Sequence, residues 1–281
     1  MVEVLGIDVA DDLLRRWAEW LAPPVQPFLS VELASPRPLP LELRDTFALY
    51  GDKGRHLLWL DEETFCALPR RRRAELVRDQ VRQGRTAVPT VPAWKTIIGE
   101  EVRLQADGHR FVWWGSLLER AHVEVLASFV TNDRTPSRHR EVPEGTWSAA
   151  VSILPGARRI AGTFPESSGP NCFGAVLTAA GAAEAASHWE VREPFDEWLA
   201  ACARPGGKDT APGTVLVWRS SDGLADRAAV TLGDGWGLHK PSQGWMSPSP
   251  LRPGRPGGPA RSSAHAGAEG DGAGNIRLTV R

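Results

Sequence analysis

Apolar residues recur at helical spacing after Asp11-Asp12, where Leu13, Leu14, Trp17, Trp20 and Leu21 fall on one side of a 3.6-residue period. The two aspartates sit at the positive end of that helix, and Pro23-Pro24 stop it. Val25 to Leu33 reads as a strand. The three prolines of Ser35-Pro36-Arg37-Pro38-Leu39-Pro40 remove amide donors and predict an irregular connection. The β-like runs Thr46–Tyr50 and His56–Leu60 flank Gly51-Asp52-Lys53-Gly54, a spacing that predicts a hairpin. Asp61 then caps a helical stretch, and Pro69 opens another that reaches Val81. Ala93–Leu104 contains a further helix, Arg110–Trp114 reads as a buried strand, and Leu117–Val130 returns to helical spacing.

In the second half, Cys172 opens an alanine-rich helix from Phe173 to Ala180, and Phe195, Trp198 and Leu199 mark another. Three short apolar runs follow, Pro212–Arg219, Ala228–Leu232 and Trp236–His239. Ser220-Ser221-Asp222-Gly223 and Gly233-Asp234-Gly235 separate them, which predicts an antiparallel meander. Ser247 to Asn275 is dominated by Gly, Pro, Ala, Ser and Arg, a composition that buries too little apolar surface to offset chain entropy and predicts disorder. Only Ile276–Val280 could add a strand there, and the abrupt change of character suggests a truncated or frame-altered C-terminus. The whole reads as an α+β protein in three parts. Residues 1–155 form an α+β region of unnamed role, residues 156–246 carry the candidate chemistry, and residues 247–281 are a low-complexity tail.

Composition narrows the function classes. The 33 basic and 34 acidic side chains leave a net charge of −1, which gives no global reason to expect nucleic acid or an anionic membrane as partner. The run Arg70–Arg73 is followed by Glu75 and Asp79 at same-face helical distances, so a solvated, ion-paired helix surface accounts for it. Twelve tryptophans, spread from Trp17 to Trp245, are expected mostly in the core, with Trp236 and Trp245 held as walls of a site. Three irregularly spaced cysteines, Cys66, Cys172 and Cys202, match neither a disulfide framework nor a zinc pattern, and fit a reducing compartment. His109, His122 and His139 lack ligand-like spacing, and no phosphate loop or acidic metal cluster is present, so no metal or cofactor is expected. The N-terminus has no basic region followed by an apolar one, and no window is long and apolar enough to span a membrane. A cytoplasmic protein is expected.

The candidate chemistry gathers between Phe164 and Trp245. The turn-rich Pro165–Pro170 loop delivers Cys172 to a first helical turn, where free amide N–H groups and the helix dipole favour thiolate over thiol and offer donors to an oxyanion. Cys172 is therefore expected to have a lowered pKa and to be the most electrophile-reactive of the three thiols. Gly174 would allow a backbone or a substrate to approach closely. His188, beside Trp189, is read as a surface histidine, and Cys202 as a packed side chain.

This segment resembles the NlpC-type branch of papain-like cysteine peptidases. The family's Asp-Cys-Ser-Gly at a helix start is similar to Asn171-Cys172-Phe173-Gly174, and its Gly-Asp-Leu-Val-Phe strand is similar to Gly213-Thr214-Val215-Leu216-Val217. The family's next strand opens on the base histidine, with a third polar residue twelve positions later. Here Ala228–Gly233 corresponds to that strand, the third polar position falls on His239, and the base position falls on Arg227. The resemblance implies a thiol hydrolase or acyltransferase, expected to be intracellular from the N-terminal sequence, that acts on an amide or ester through a Cys172 thioester. Cys172 and His239 would be its catalytic residues, and Asn171, Gly174, Arg227, Trp236 and Gln243 would contact a small peptide, amide or ester substrate. Arginine keeps its proton and cannot act as the base, so turnover would be impaired. The alternative is a catalytically inactive binding or interaction protein that retains the groove, with Arg227 holding a carboxylate by a bidentate pair.

Overall fold

A computed structural model describes residues 1–30, 38–50, 56–82, 85, 88–99, 102, 109–119, 121–132, 134–254 and 275–280. The chain forms two compact units, one of residues 1–2 and 9–133, the other of residues 3–8 and 134–281. Residues 134–155, grouped with the first half on sequence, belong to the second unit. The chain starts with a hairpin of β1 (Val2–Val4) and β2 (Ile7–Val9), turned at Leu5 and Gly6 in left-handed backbone conformation.

In the first unit, α1 (Asp11–Leu21) buries Leu14, Trp17 and Leu21, the stripe read from its spacing. β3 (Val25–Ser30) then pairs antiparallel with β4 (His56–Asp61). The strand expected at Thr46–Tyr50 is not formed. Leu41–Phe47 is instead a helix, α2, whose Leu43 and Phe47 pack with Leu29 and Leu49. The partner of β4 is thus the more distant β3, which a reading of local turns passes over; Gly51–Gly54 lies outside the described residues. Asp61 caps α3 (Glu62–Ala67) through its side chain, accepting from the Thr64 N–H at 2.8 Å. In α4 (Arg70–Arg82) both Arg71 and Arg72 pair with Glu75, as the spacing anticipated. α5 (Val91–Ile98), α6 (Gly115–Leu118) and α7 (His122–Thr131) complete the unit. Its core stacks Phe28 on Phe65 with Trp114 tilted beside them.

The second unit is helices against one sheet. After α8 (Glu144–Ala150) and α9 (Ala157–Ile160) come α10 (Cys172–Ala179) and α11 (Arg192–Cys202). The strands are β5 (Ala203–Pro205), β6 (Pro212–Arg219), β7 (Ala225–Gly233), β8 (Trp236–Leu238), β9 (Leu251–Pro253) and β10 (Asn275–Val280). They form one antiparallel sheet in the order β5-β10-β6-β7-β8-β9, so the meander expected from β6 to β8 is its centre. Val215, Val217, Ala228, Val230, Leu232 and Leu238 line the face that packs against Phe173, Val176 and Leu177 of α10 and against Trp147 and Leu154.

The C-terminal expectation is corrected at its start and holds at its end. Residues 247–254 are ordered parts of the fold, with Ser247, Ser249 and Leu251 buried and β9 paired to β8. Ile276–Val280 is a strand, as its run allowed, and it lies inside the sheet. Composition misjudged 247–254 because its few apolar side chains lean on an existing sheet. Residues 255–274 lie outside the described residues. Among the described residues no helix is long and apolar enough to cross a membrane.

Candidate thiol site

Asn171 sets the start of α10. Its backbone is extended, and its side-chain oxygen accepts from the N–H groups of Phe173 (3.1 Å) and Gly174 (3.0 Å), the arrangement that makes asparagine a favoured helix cap. Its amide nitrogen donates to the Glu190 carbonyl at 2.6 Å, tying the helix start to the chain before α11. The Phe173 ring then stacks on Phe195 at 4.5 Å, so α10 is fixed by cap and core together.

Gly174 is a close-packing point. A methyl group there would lie 2.6 Å from the Ala185 carbonyl oxygen, so the approach that glycine permits is made by the chain's own 183–186 turn. Gly174→Ala is expected to destabilise the fold by about 1–3 kcal/mol. Gly145→Ala, in α8 with open space around it, should be neutral or stabilising by up to about 1 kcal/mol. Urea denaturation of the two variants checks the contrast; equal midpoints would mean that the Ala185 contact does not constrain the helix.

Cys172 occupies the first helical position, partly buried against the core face of the sheet. The backbone amide of Ala228 in β7 favours its thiolate, as do the Arg227 guanidinium and the amides of Phe173 and Cys172 itself. Burial outweighs all of them and pushes the thiol up from its ordinary value, which reverses the expectation drawn from the helix start alone. All three cysteines are free, and Cys66 is exposed. Burial pushes the Cys66 thiol up as well, but Cys66 is the more exposed, so limited iodoacetamide near pH 7 should label it ahead of Cys172, read by peptide mass mapping. Faster labelling of Cys172 would show that its amides and Arg227 overcome its burial.

Arg227 sits at a bulge. Trp218 pairs with Arg227 but Arg219 pairs with Ala225, leaving Asp226 out of the ladder and exposed. On the other side Val230 pairs with Leu238 and Thr231 with Gly237. Continuing that register sets His239 opposite Ala229, so Arg227 and His239 are diagonal neighbours on the face away from the core. His239 follows directly after β8, half-buried, and its Nδ1 has no hydrogen-bond partner. Burial, Arg252 and Arg227 push its pKa down to about 4, so the imidazole is neutral at pH 7. Arg227 acts on both Cys172 and His239, and no hydrogen bond joins those two among the described residues.

The loops on either side are stitched together. Gly162 donates to the Ser249 carbonyl and Ser249 to that of Thr163, while Gly169 donates to the main-chain oxygen of Gln243 and Trp245 to the Ser168 hydroxyl. These bonds hold the segment before Cys172 against the segment after His239. Gln243 thus contributes through its backbone, and Trp236 and Trp245 are buried rather than lining an open groove. Sequence reading missed two residues here. Lys240 is 3% exposed, with its ammonium donating to the carbonyls of Ser242 and Ser247 at 2.7 Å, where it knots the loop. Arg252 in β9 faces the site region from a segment whose composition masked it; the alternation of Leu251 and Arg252 was its only signal. His188 is exposed, its Nδ1 2.6 Å from the Glu184 carbonyl oxygen, as a surface histidine should be.

Two clefts lie elsewhere. One of about 410 Å³ in the first unit is lined by Glu19, Ala22, Leu118 and His122, and one of about 250 Å³ in the second by Trp147, Val151, Leu154 and Arg158. Cys172 lines neither, and no group of three or more ligating side chains could hold a metal among the described residues. Comparison with family models, with curated proteins and with solved structures finds no match.

Proposed function

We propose that the second unit is an NlpC-type, papain-like thiol hydrolase or acyltransferase in which Cys172 is the nucleophile and Arg227 stands in the position of the base. The observation that carries this reading is the set of groups around one sulfur: amides of the helix start, the Ala228 amide from β7 and the Arg227 cation, all of which favour negative charge there. The thiolate would attack an activated carbonyl carbon, the bond to the leaving alkoxide or amine would break, and water would later hydrolyse the thioester. Because Asn171 takes the N–H groups of Phe173 and Gly174, the Cys172 N–H is the helix-start donor left for the oxyanion. A fixed cation helps to form the thiolate but takes no proton, so acylation should outrun deacylation.

Incubation with p-nitrophenyl acetate followed by intact-mass measurement and peptide mapping tests this. The expected result is an acetyl group on Cys172 that persists, forms faster as pH rises, and is absent from Cys172→Ser. Acetylation confined to Cys66 and Cys202 would overturn the reading and favour a non-catalytic binding protein that keeps the same scaffold.

A further inference from the structure

The first unit buries a charge for which the described residues supply no counter-charge. α4 ends at Arg82, and the Arg85 N–H turns back to donate to the Gln80 carbonyl at 3.1 Å, which brings the two side chains together in the interior, 3% and 2% exposed. Arg85 Nη1 donates to Gln80 Oε1 at 2.6 Å, and the Phe47 ring of α2 covers one face of the guanidinium, its centroid 4.0 Å from Cζ. Arg85 Nε and Nη2 and Gln80 Nε2 are left buried with no partner among the described residues. Nε and Nη2 form the edge with which other arginines of this chain clasp a carboxylate in two parallel bonds, Arg138 on Glu141 and Arg277 on Asp209. At Arg85 that edge meets no acceptor among the described residues. Burial alone pushes its pKa down to about 9, with no carboxylate among them holding it up, so the side chain is still cationic at pH 7. An unpaired buried cation and idle buried donors are each costly, and one anion relieves them together.

We propose that the Arg85 fork and the Gln80 amide bind a small monocarboxylate anion inside the first unit. A planar carboxylate sets its two oxygens on Nε and Nη2 and offers a further lone pair to Gln80 Nε2. One negative charge neutralises one guanidinium, whereas a dianion would leave a net charge in the interior. Chloride neutralises the charge but brings a single atom to a fork that presents two parallel donors. Arg85 and Cys172 belong to different units, and the anion site does not rest on the thiol reading.

Heteronuclear NMR of the arginine Nε–H groups of the full chain, titrated with sodium formate, tests the site, with the Arg85 signal identified by its absence from Arg85→Lys. Formate should shift that signal saturably and slow its exchange with water, while sodium chloride at equal ionic strength should do neither. Arg85→Lys keeps the charge and loses the fork, so its formate affinity, read by calorimetry, should fall about tenfold or more. Gln80→Glu has nearly the same shape and places a carboxylate beside the guanidinium. It should weaken formate to a similar extent, because the counter-charge then comes from the chain itself, and it keeps the test independent of how well Arg85→Lys folds. Shifts with chloride equal to those with formate, or tighter binding of sulfate than of formate, would overturn the monocarboxylate assignment. Unchanged formate affinity in Gln80→Glu would overturn the assignment to this pair, and the lack of any saturable shift would overturn the site itself.

Discussion

Truncation after Gly254 is expected to destabilise the second unit severely, lowering stability by roughly 3 kcal/mol or more, although composition alone marks Ser247 to Asn275 as dispensable. β10 lies between two strands. Leu278 pairs with Pro205 on one side and with Val215 on the other, and Thr279 pairs likewise with Arg204 and Thr214. Leu278 and Val280 also pack against the core. Removing the strand forfeits their partial burial, each a share of the roughly 1.5–3 kcal/mol that full burial of an aliphatic side chain gives, together with two ladders of hydrogen bonds. It also detaches β5 and leaves β6, with its consecutive apolar residues Val215 to Trp218, as an open edge, which invites association between chains. Against a total stability of about 5–15 kcal/mol, that is a large fraction. Urea denaturation and light scattering of the truncated and full chains check it. An unchanged midpoint and no added scattering would mean that the sheet is complete without β10.

What could be read in the sequence follows how local each signal is. The helix from Asp11 and the three-strand meander have their periodicity and turn residues within a few positions of one another, and both formed as read. The partner of β4 and the place of β10 in the sheet depend on pairing between segments far apart, which no local pattern encodes. The same division holds at the site. Asn171-Cys172 at a helix start was legible because capping is a matter of adjacent residues. The net effect on the thiol was not, because its burial depends on the assembled core. Arg252 was hidden for a related reason, since its importance comes from its cross-strand place beside Gly237 and His239 and not from its neighbours in the chain.

Arg227 is where the account makes its sharpest commitment. Its guanidinium charge lowers the cost of the thiolate at Cys172 and of the neutral state at His239, with no proton of its own to exchange. Arg227→Ala should raise the Cys172 pKa further, and each unit of that rise reduces the thiolate present at neutral pH about tenfold. Arg227→His should replace the fixed charge by an imidazole of ordinary pKa about 6.5, diagonal to His239 and within electrostatic reach of the sulfur. Below that value the new imidazolium would stabilise the thiolate, and above it the neutral ring would accept the thiol proton. Reactivity in this variant should therefore begin near neutral pH instead of only in the alkaline range. The most direct measurement is the alkylation rate of Cys172 against pH, followed peptide by peptide in the wild type, Arg227→Ala and Arg227→His, with Cys66 and Cys202 as internal references. The account predicts one alkaline inflection in the wild type, the same inflection moved to higher pH in Arg227→Ala, and a new inflection near neutrality in Arg227→His. Three superimposable Cys172 profiles would contradict it, because they would mean that Arg227 does not act on the thiol.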